Sequence, residues 1–231
     1  MLWDIDGTLL DSGGAGRYSF ADAFEQVVGR RPGELATMAG RTDQDIAIET
    51  LELNGVADGD ALWPEFSDAL AEALTAREEQ MTAEGHALPG AREAIAALEA
   101  VEGVIATLLT GNIKPNAETK LRAFGLDGLL DLDIGAYGSD SRERNALVGV
   151  ARERAQARHG TEFAPEEIVL IGDTDRDVEA GRANGARVVG VATGKFSAEQ
   201  LGEAGADVVL AGLDDPDAVV AAVLAPTEVG S

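Results

Sequence analysis

Met1-Leu2-Trp3-Asp4-Ile5-Asp6-Gly7-Thr8 opens the chain with a short apolar run that ends in two acids, a glycine and a hydroxyl. An extended strand sends alternate side chains to opposite faces, so Asp4 and Asp6 are expected to share one face. Two carboxylates that close repel each other unless a cation lies between or beside them. Gly7 permits a sharp turn, and Thr8 adds a hydroxyl and an amide for local hydrogen bonds. Asp-x-Asp-Gly is also an ordinary way to end a strand in a turn, so the stretch needs support from elsewhere in the chain. Only three residues precede Asp4, against the ~5–6 of a usual strand. Either the first strand is unusually short or the true start lies upstream.

Downstream, short apolar runs alternate with helical patterns. Val104 to Leu109, Leu132 to Ala136, Ile168 to Ile171, Val188 to Val191 and Val208 to Leu210 read as buried strands. Helices are expected between them, for example over Ala91 to Ala100, Asn145 to Arg158 and Ala218 to Leu224. This alternation predicts an α/β fold, a Rossmann-like parallel sheet flanked by helices. Between the first two strands lies a long stretch with helical signals only. Phe20, Phe24, Val27 and Val28 make an i, i+4, i+7, i+8 stripe, and Asp43 to Leu53 and Ala61 to Met81 follow, rich in Ala and Leu. Gly13-Gly14 and Leu88-Pro89-Gly90 punctuate its two ends. Residues 12–88 are therefore expected to form an inserted α-helical cap, with 1–11 and 89–231 as the α/β core. The tail, Pro226 to Ser231, is expected to fray.

Two further clusters sit where strands should end, the place at which open parallel sheets bind ligands. Leu109-Thr110-Gly111-Asn112 offers a hydroxyl, a bare backbone amide and a side-chain amide, neutral donors suited to phosphate oxygens. Leu170-Ile171-Gly172-Asp173-Thr174-Asp175-Arg176-Asp177 ends an apolar strand in a glycine and three acids. Asp173 and Asp177, four apart, can share one side of the first helical turn. Helix capping explains one acid there, not three. Oxygen-rich clusters of this kind suit Mg²⁺.

In this order, Asp4-x-Asp6-Gly7-Thr8, Thr110-Gly111 and Gly172-Asp173-x-x-x-Asp177 resemble the haloacid dehalogenase-like hydrolase superfamily, in its helical-cap branch with phosphoglycolate phosphatase-like enzymes. The resemblance covers essentially the whole chain. It implies a phosphatase that hydrolyses a small phosphomonoester through an aspartyl-phosphate. Asp4 is implied as nucleophile and metal ligand, and Asp6 as general acid/base with its carbonyl on the metal. Thr110, Gly111 and, less firmly, Asn112 are implied to hold phosphate, Asp173 to bind Mg²⁺, and Asp177 to support the metal shell or a neighbouring cation. The family places that cation, commonly Lys, after the third core strand. No Lys stands between Lys120 and Lys195, so Arg144, with Arg142 as the fallback, is the candidate; its fixed charge can hold a phosphate bidentately. In the cap, Arg41 of Gly40-Arg41-Thr42-Asp43 could meet a substrate anion, although Thr42 or Asp43 could equally be capping a helix. Arg17 is a weaker candidate.

Composition narrows the partners. Eighteen basic against 42 acidic residues give a net charge of −24, which repels nucleic acid and anionic lipid. A phosphorylated metabolite is equally repelled unless a local cation reverses the field. The chain has no cysteine, so disulfides, thiolate metal sites and cysteine nucleophiles are excluded. His86 and His159 have no ligand-like neighbours, so no zinc site is expected. No apolar stretch approaches the ~20 residues of a membrane span, and acids occupy the place of a signal peptide's basic end, so a cytoplasmic location is expected. Two other readings stay open: a phosphomutase of the same superfamily, and a catalytically weak Mg²⁺-binding regulatory domain.

Overall fold

The computed structural model describes residues 1–225, and the tail expected to fray lies outside them. In chain order the elements are β1 (Leu2–Trp3), β2 (Leu10–Asp11), α1 (Ala15–Val28), α2 (Asp43–Leu53), α3 (Gly59–Thr75), α4 (Glu78–Glu84) and β3 (His86–Ala87). There follow α5 (Ala91–Glu99), β4 (Thr107–Leu108), α6 (Lys114–Ala123), α7 (Arg144–His159), β5 (Val169–Gly172) and α8 (Asp175–Ala183). The last four are β6 (Arg187–Val191), α9 (Ala198–Ala204), β7 (Val208–Leu210) and α10 (Pro216–Leu224). Among the described residues no helix is long and apolar enough to cross a membrane.

The main sheet is parallel, in the order β4-β1-β5-β6-β7, as the alternation of strands and helices predicts. β1 is short but central: Leu2 and Trp3 pair with Thr107 and Leu108 on one side and with Leu170 and Ile171 on the other. Period-2 alternation sorts the strand residues between two apolar layers. Trp3, Val169, Ile171, Val189 and Val191 pack with Ile95 of α5, Leu121 of α6 and Val219 of α10. Leu2 and Leu170 pack with Leu147 and Val148 of α7 and Ala180 of α8. Burying each such side chain contributes roughly 1.5–3 kcal/mol.

Two expected elements differ. The run Leu132 to Ala136 makes only a single parallel bridge, Leu109 with Ala136. Its acids favour a turn instead: the Asp131 carboxylate accepts from the Asp133 amide at 3.1 Å, and Gly135 follows. The single helix expected over Ala61 to Met81 is two, α3 and α4, broken at Ala76-Arg77. Arg77 turns back to α1, where its guanidinium pairs with Asp22 at 2.5 Å and lies over the Tyr18 ring.

Helices α1 to α4 lie between β2 and β3, which pair antiparallel, Leu10 with Ala87 and Asp11 with His86. The helical insert has its own apolar cluster, including Phe20, Phe24, Ile46, Leu51, Phe66 and Leu70. One core residue, Ile113, is buried in it. Around this anchor the insert is clasped to the core. The Asp43 amide donates to the Gly111 carbonyl at 2.7 Å, and the Asp43 carboxylate accepts from the Ile113 amide at 2.8 Å. The Thr42 hydroxyl donates to the Arg142 carbonyl at 2.7 Å, and Arg142 Nε donates to Asp45 at 3.0 Å. The approach is so close that a Cβ at position 111 would run into the Arg41 carbonyl, which explains a glycine there.

Asp43 is buried in this clasp. Burial pushes its carboxyl up to about 7, with Lys120 and the Ile113 amide pulling the other way. An unfolded Asp ionises near its ordinary value of 3.8, so between that pH and about 7 the unfolded chain holds fewer protons at this position. Asp43 therefore contributes most to stability below about pH 4 and loses that contribution as pH rises to 7. Asp43→Asn keeps an oxygen acceptor for the Ile113 amide without the buried charge. Urea unfolding of metal-free protein is expected to show the variant gaining on wild type, by on the order of a few kcal/mol, as pH rises from 4 to 8. A difference that stays constant with pH would contradict the shift.

Candidate active site

Asp4 and Asp6 do not stay on one face. β1 ends at Trp3, and the amides of Thr8, Leu9 and Leu10 all turn back to the Ile5 carbonyl. The two carboxylates are then held by different partners on different elements.

Asp4 lies on the α7 side, as Leu2 does. Its carboxylate is 3.0 Å from Arg144, the first residue of α7, and Arg144 also reaches Asp177 in the first turn of α8 at 2.5 Å. All three side chains are buried. The other Asp177 oxygen accepts from the Thr174 amide at 3.1 Å and the Thr174 hydroxyl at 2.6 Å. Asp177 is thus both a helix-capping residue and the anchor of Arg144, the most heavily engaged of the acids here. Arg142, the fallback cation, is engaged with Asp45 of the insert instead.

Asp173, at the end of β5, completes a group of three buried acids. Ligand oxygens of Asp4, Asp173 and Asp177 lie within 4.8 Å of one another. Thr8 donates its hydroxyl to Asp173 at 3.2 Å. Gly7 has φ +84°, and a Cβ there would strike the Asp173 carboxylate, so the turn after Asp6 is open to glycine on both counts. Burial, the neighbouring acids and Arg144 compete over the charges. Burial dominates, pushing Asp4 up to about 7 against the pull of Arg144, and Asp173 up to about 8 with help from Asp4 and Asp177. One guanidinium does not offset three carboxylates. An all-oxygen set with uncompensated negative charge fits a hard divalent cation, and Asp4 and Asp173 are the members free to take it.

Asp6 faces elsewhere. Lys120 Nζ, from the last turn of α6, donates to both of its oxygens at 2.7 Å. The Asn112 amide donates to Asp6 at 2.7 Å and to the Thr110 hydroxyl oxygen at 2.8 Å. Both Asn112 side-chain hydrogens are thereby engaged, so Asn112 orients Thr110 and Asp6 and is not a free phosphate donor. The Asp6 carboxylate is thus held by Lys120 and Asn112.

Asp4, Asp6, Thr110, Gly111, Asn112, Arg144 and Asp173 all line one cavity of about 570 Å³ between sheet and insert. Arg41 also lines it, but its guanidinium is paired within the insert, with Asp45 at 2.6 Å and with Glu49. Arg17 is exposed at the cavity wall, His86 is exposed on β3, and His159 is exposed at the end of α7. Sequence reasoning passed over Lys120, Asn116 and Asp43, which line the same cavity or its edge. The signal for the first two was a spacing of four: Asn112, Asn116 and Lys120 fall on one side of α6 and its leading turn.

A model of haloacid dehalogenase-like hydrolases matches residues 1–182, and a second, HAD-hydrolase-like model matches residues 147–221. The tyrosine-protein kinase PtkA of Mycobacterium tuberculosis is 29% identical over 213 residues, which is 90% of this chain and 67% of that protein. A hydrolase from Pseudomonas syringae has the same fold with a TM-score of 0.69 at 23% identity, over 93% of this chain and 94% of that one. A predicted phosphatase from Clostridium acetobutylicum superposes with a TM-score of 0.68 at 18% identity, over 95% and 96%. The first family match includes the acids after β1, the Thr110-Gly111 segment after β4 and Asp173 after β5. The chain belongs to the haloacid dehalogenase-like hydrolases.

Proposed function

We propose that the protein is a Mg²⁺-dependent phosphatase of small phosphomonoesters, acting through an aspartyl-phosphate on Asp4. The observation that carries this reading is the pairing of Asp4 with a buried Arg144 beside a second acid, Asp173, that has no cationic partner of its own among the described residues.

Phosphoryl transfer asks for an in-line nucleophile, offset charge on the phosphoryl oxygens and a proton for the leaving group. The Asp4 carboxylate attacks phosphorus without needing a base, and the bond from phosphorus to the ester oxygen breaks. Asp6, which lines the same cavity, gives its proton to that oxygen. Asp6 then takes a proton from water as the water oxygen attacks phosphorus, and the bond to Asp4 breaks to release inorganic phosphate. Arg144, the Thr110 hydroxyl and the Gly111 amide hold the remaining phosphoryl oxygens; the Thr110 oxygen accepts two hydrogen bonds, which leaves its hydrogen to donate. Asp4 and Asp173, with the Asp6 carbonyl, would hold Mg²⁺, which when bound offsets the charge of carboxylate and phosphate alike. The helical insert acts as a cap that excludes water and selects the leaving group. The substrate is a small phosphorylated metabolite, which the cavity volume accommodates.

The likeness to PtkA favours a second reading, in which a tyrosine hydroxyl replaces water and receives the phosphoryl group. With ATP as donor, that reading expects label on protein tyrosine, whereas the phosphatase releases it as phosphate.

Phosphate release from p-nitrophenyl phosphate is the direct assay. Turnover is expected with Mg²⁺ and not after chelation, and Asp4→Asn is expected to lower it by at least ~10³-fold. Undiminished turnover by Asp4→Asn would overturn the assignment. Arg144→Ala should lower turnover by ~10²–10³-fold and lower stability by ~3–5 kcal/mol, because Asp177 is left buried without its cation. Kinetics and urea unfolding on the same preparation check both, and a variant unaffected in either would place the phosphate cation elsewhere.

A further inference from the structure

Lys120 is a buried cation that none of the family-implied roles uses. Its side chain is 5% exposed, while that of Asp6 is 43% exposed and faces the cavity. Lys120 reaches the cavity lining beside Asp6, but its ammonium is wholly engaged by protein acceptors. Its three hydrogens meet three acceptors, both Asp6 oxygens and the Asn112 side-chain oxygen, each at 2.7 Å. Removing an ammonium from water is costly, and a complete set of acceptors is what makes it tolerable. The Asn112 amide closes the ring by donating to Asp6 and to Thr110.

We infer that Lys120 is a positioning residue for Asp6, fixing the direction in which the acid/base presents its oxygens to the leaving group and to the attacking water. The inference rests on the proposed role of Asp6. β1 gives Asp6 no such direction, since the strand has ended and the following residues turn around Gly7. The direction comes from α6 instead. Without Lys120 the carboxylate keeps one donor, the Asn112 amide, on one oxygen, and is free to rotate about it. General acid–base help is typically worth ~10²–10⁴-fold and depends on geometry, so a misdirected Asp6 forfeits part of it.

The two chemical steps depend on Asp6 unequally when the leaving group is good. p-Nitrophenolate departs without a proton, so formation of the aspartyl-phosphate from p-nitrophenyl phosphate needs no acid. Its hydrolysis still needs Asp6 as base. Stopped-flow mixing of Lys120→Met and Lys120→Gln with p-nitrophenyl phosphate and Mg²⁺ is therefore expected to give a burst of about one p-nitrophenolate per enzyme at near the wild-type rate. A steady state slower than wild type by on the order of 10–100-fold should follow. Lys120→Gln keeps a polar group in the buried position and serves if Lys120→Met does not fold. Burst and steady state slowed by the same factor would mean a structural role only, and both unchanged would mean none; either overturns the inference. Failure of the phosphatase reading is seen separately, as wild type without turnover or Asp4→Asn without loss.

Discussion

Asp4, Asp173 and Asp177 bring three carboxylates within 4.8 Å of one another below the surface of a chain already carrying −24. Two unit charges 4 Å apart repel by about 4 kcal/mol even at an effective dielectric of 20. Such a cluster persists only if cations answer it, and the arrangement around it follows from that need. Arg144 is driven to the start of α7, against Asp4 and Asp177, and Asp177 is held in turn by Thr174 at the start of α8. Arg144 leaves part of that negative charge unanswered, and burial, with the neighbouring acids, raises Asp4 and Asp173 despite it. A divalent metal and a phosphoryl group arriving together suit that remainder, since the metal answers both sets of negative charge.

The insert has its own apolar cluster, but its position over the cavity is set by a few polar contacts on the Gly111–Ile113 segment. The same segment lines the cavity after β4 and leads into α6, the helix that brings Lys120 to Asp6. Cap position and the direction of the acid/base are therefore coupled through one short stretch of chain. Asp43 sits where the two meet, buried beside the Ile113 amide and close enough to Lys120 to feel its charge.

Much of this was legible in the sequence. The parallel sheet followed from apolar runs of strand length, and α2 was bounded correctly because Thr42 caps it. The strand-end acids and Arg144 were found because motif spacing names residues that must converge. Shared-face reasoning failed for Asp4 and Asp6, because it assumes an extended strand and β1 stops at Trp3. Lys120 was missed for a different reason. Helix α6 buries Asn116 and Lys120 as well as Ala117 and Leu121, so its inward face is half polar and lacks the apolar stripe by which helices are recognised. A residue buried for its charge does not announce itself through hydropathy. Arg41, conversely, looked available in sequence and is paired within the insert by acids one and two turns along α2.

The central claim is that Asp4 carries the phosphoryl group between two steps. Rapid acid quench during turnover, followed by digestion and peptide mass spectrometry, tests it without depending on any variant. The account predicts an acyl phosphate on the peptide Met1–Arg17, localised to Asp4 and lost on treatment with hydroxylamine. A phosphoryl group on another residue, or turnover that inverts the configuration at phosphorus as a single direct displacement by water would, contradicts it.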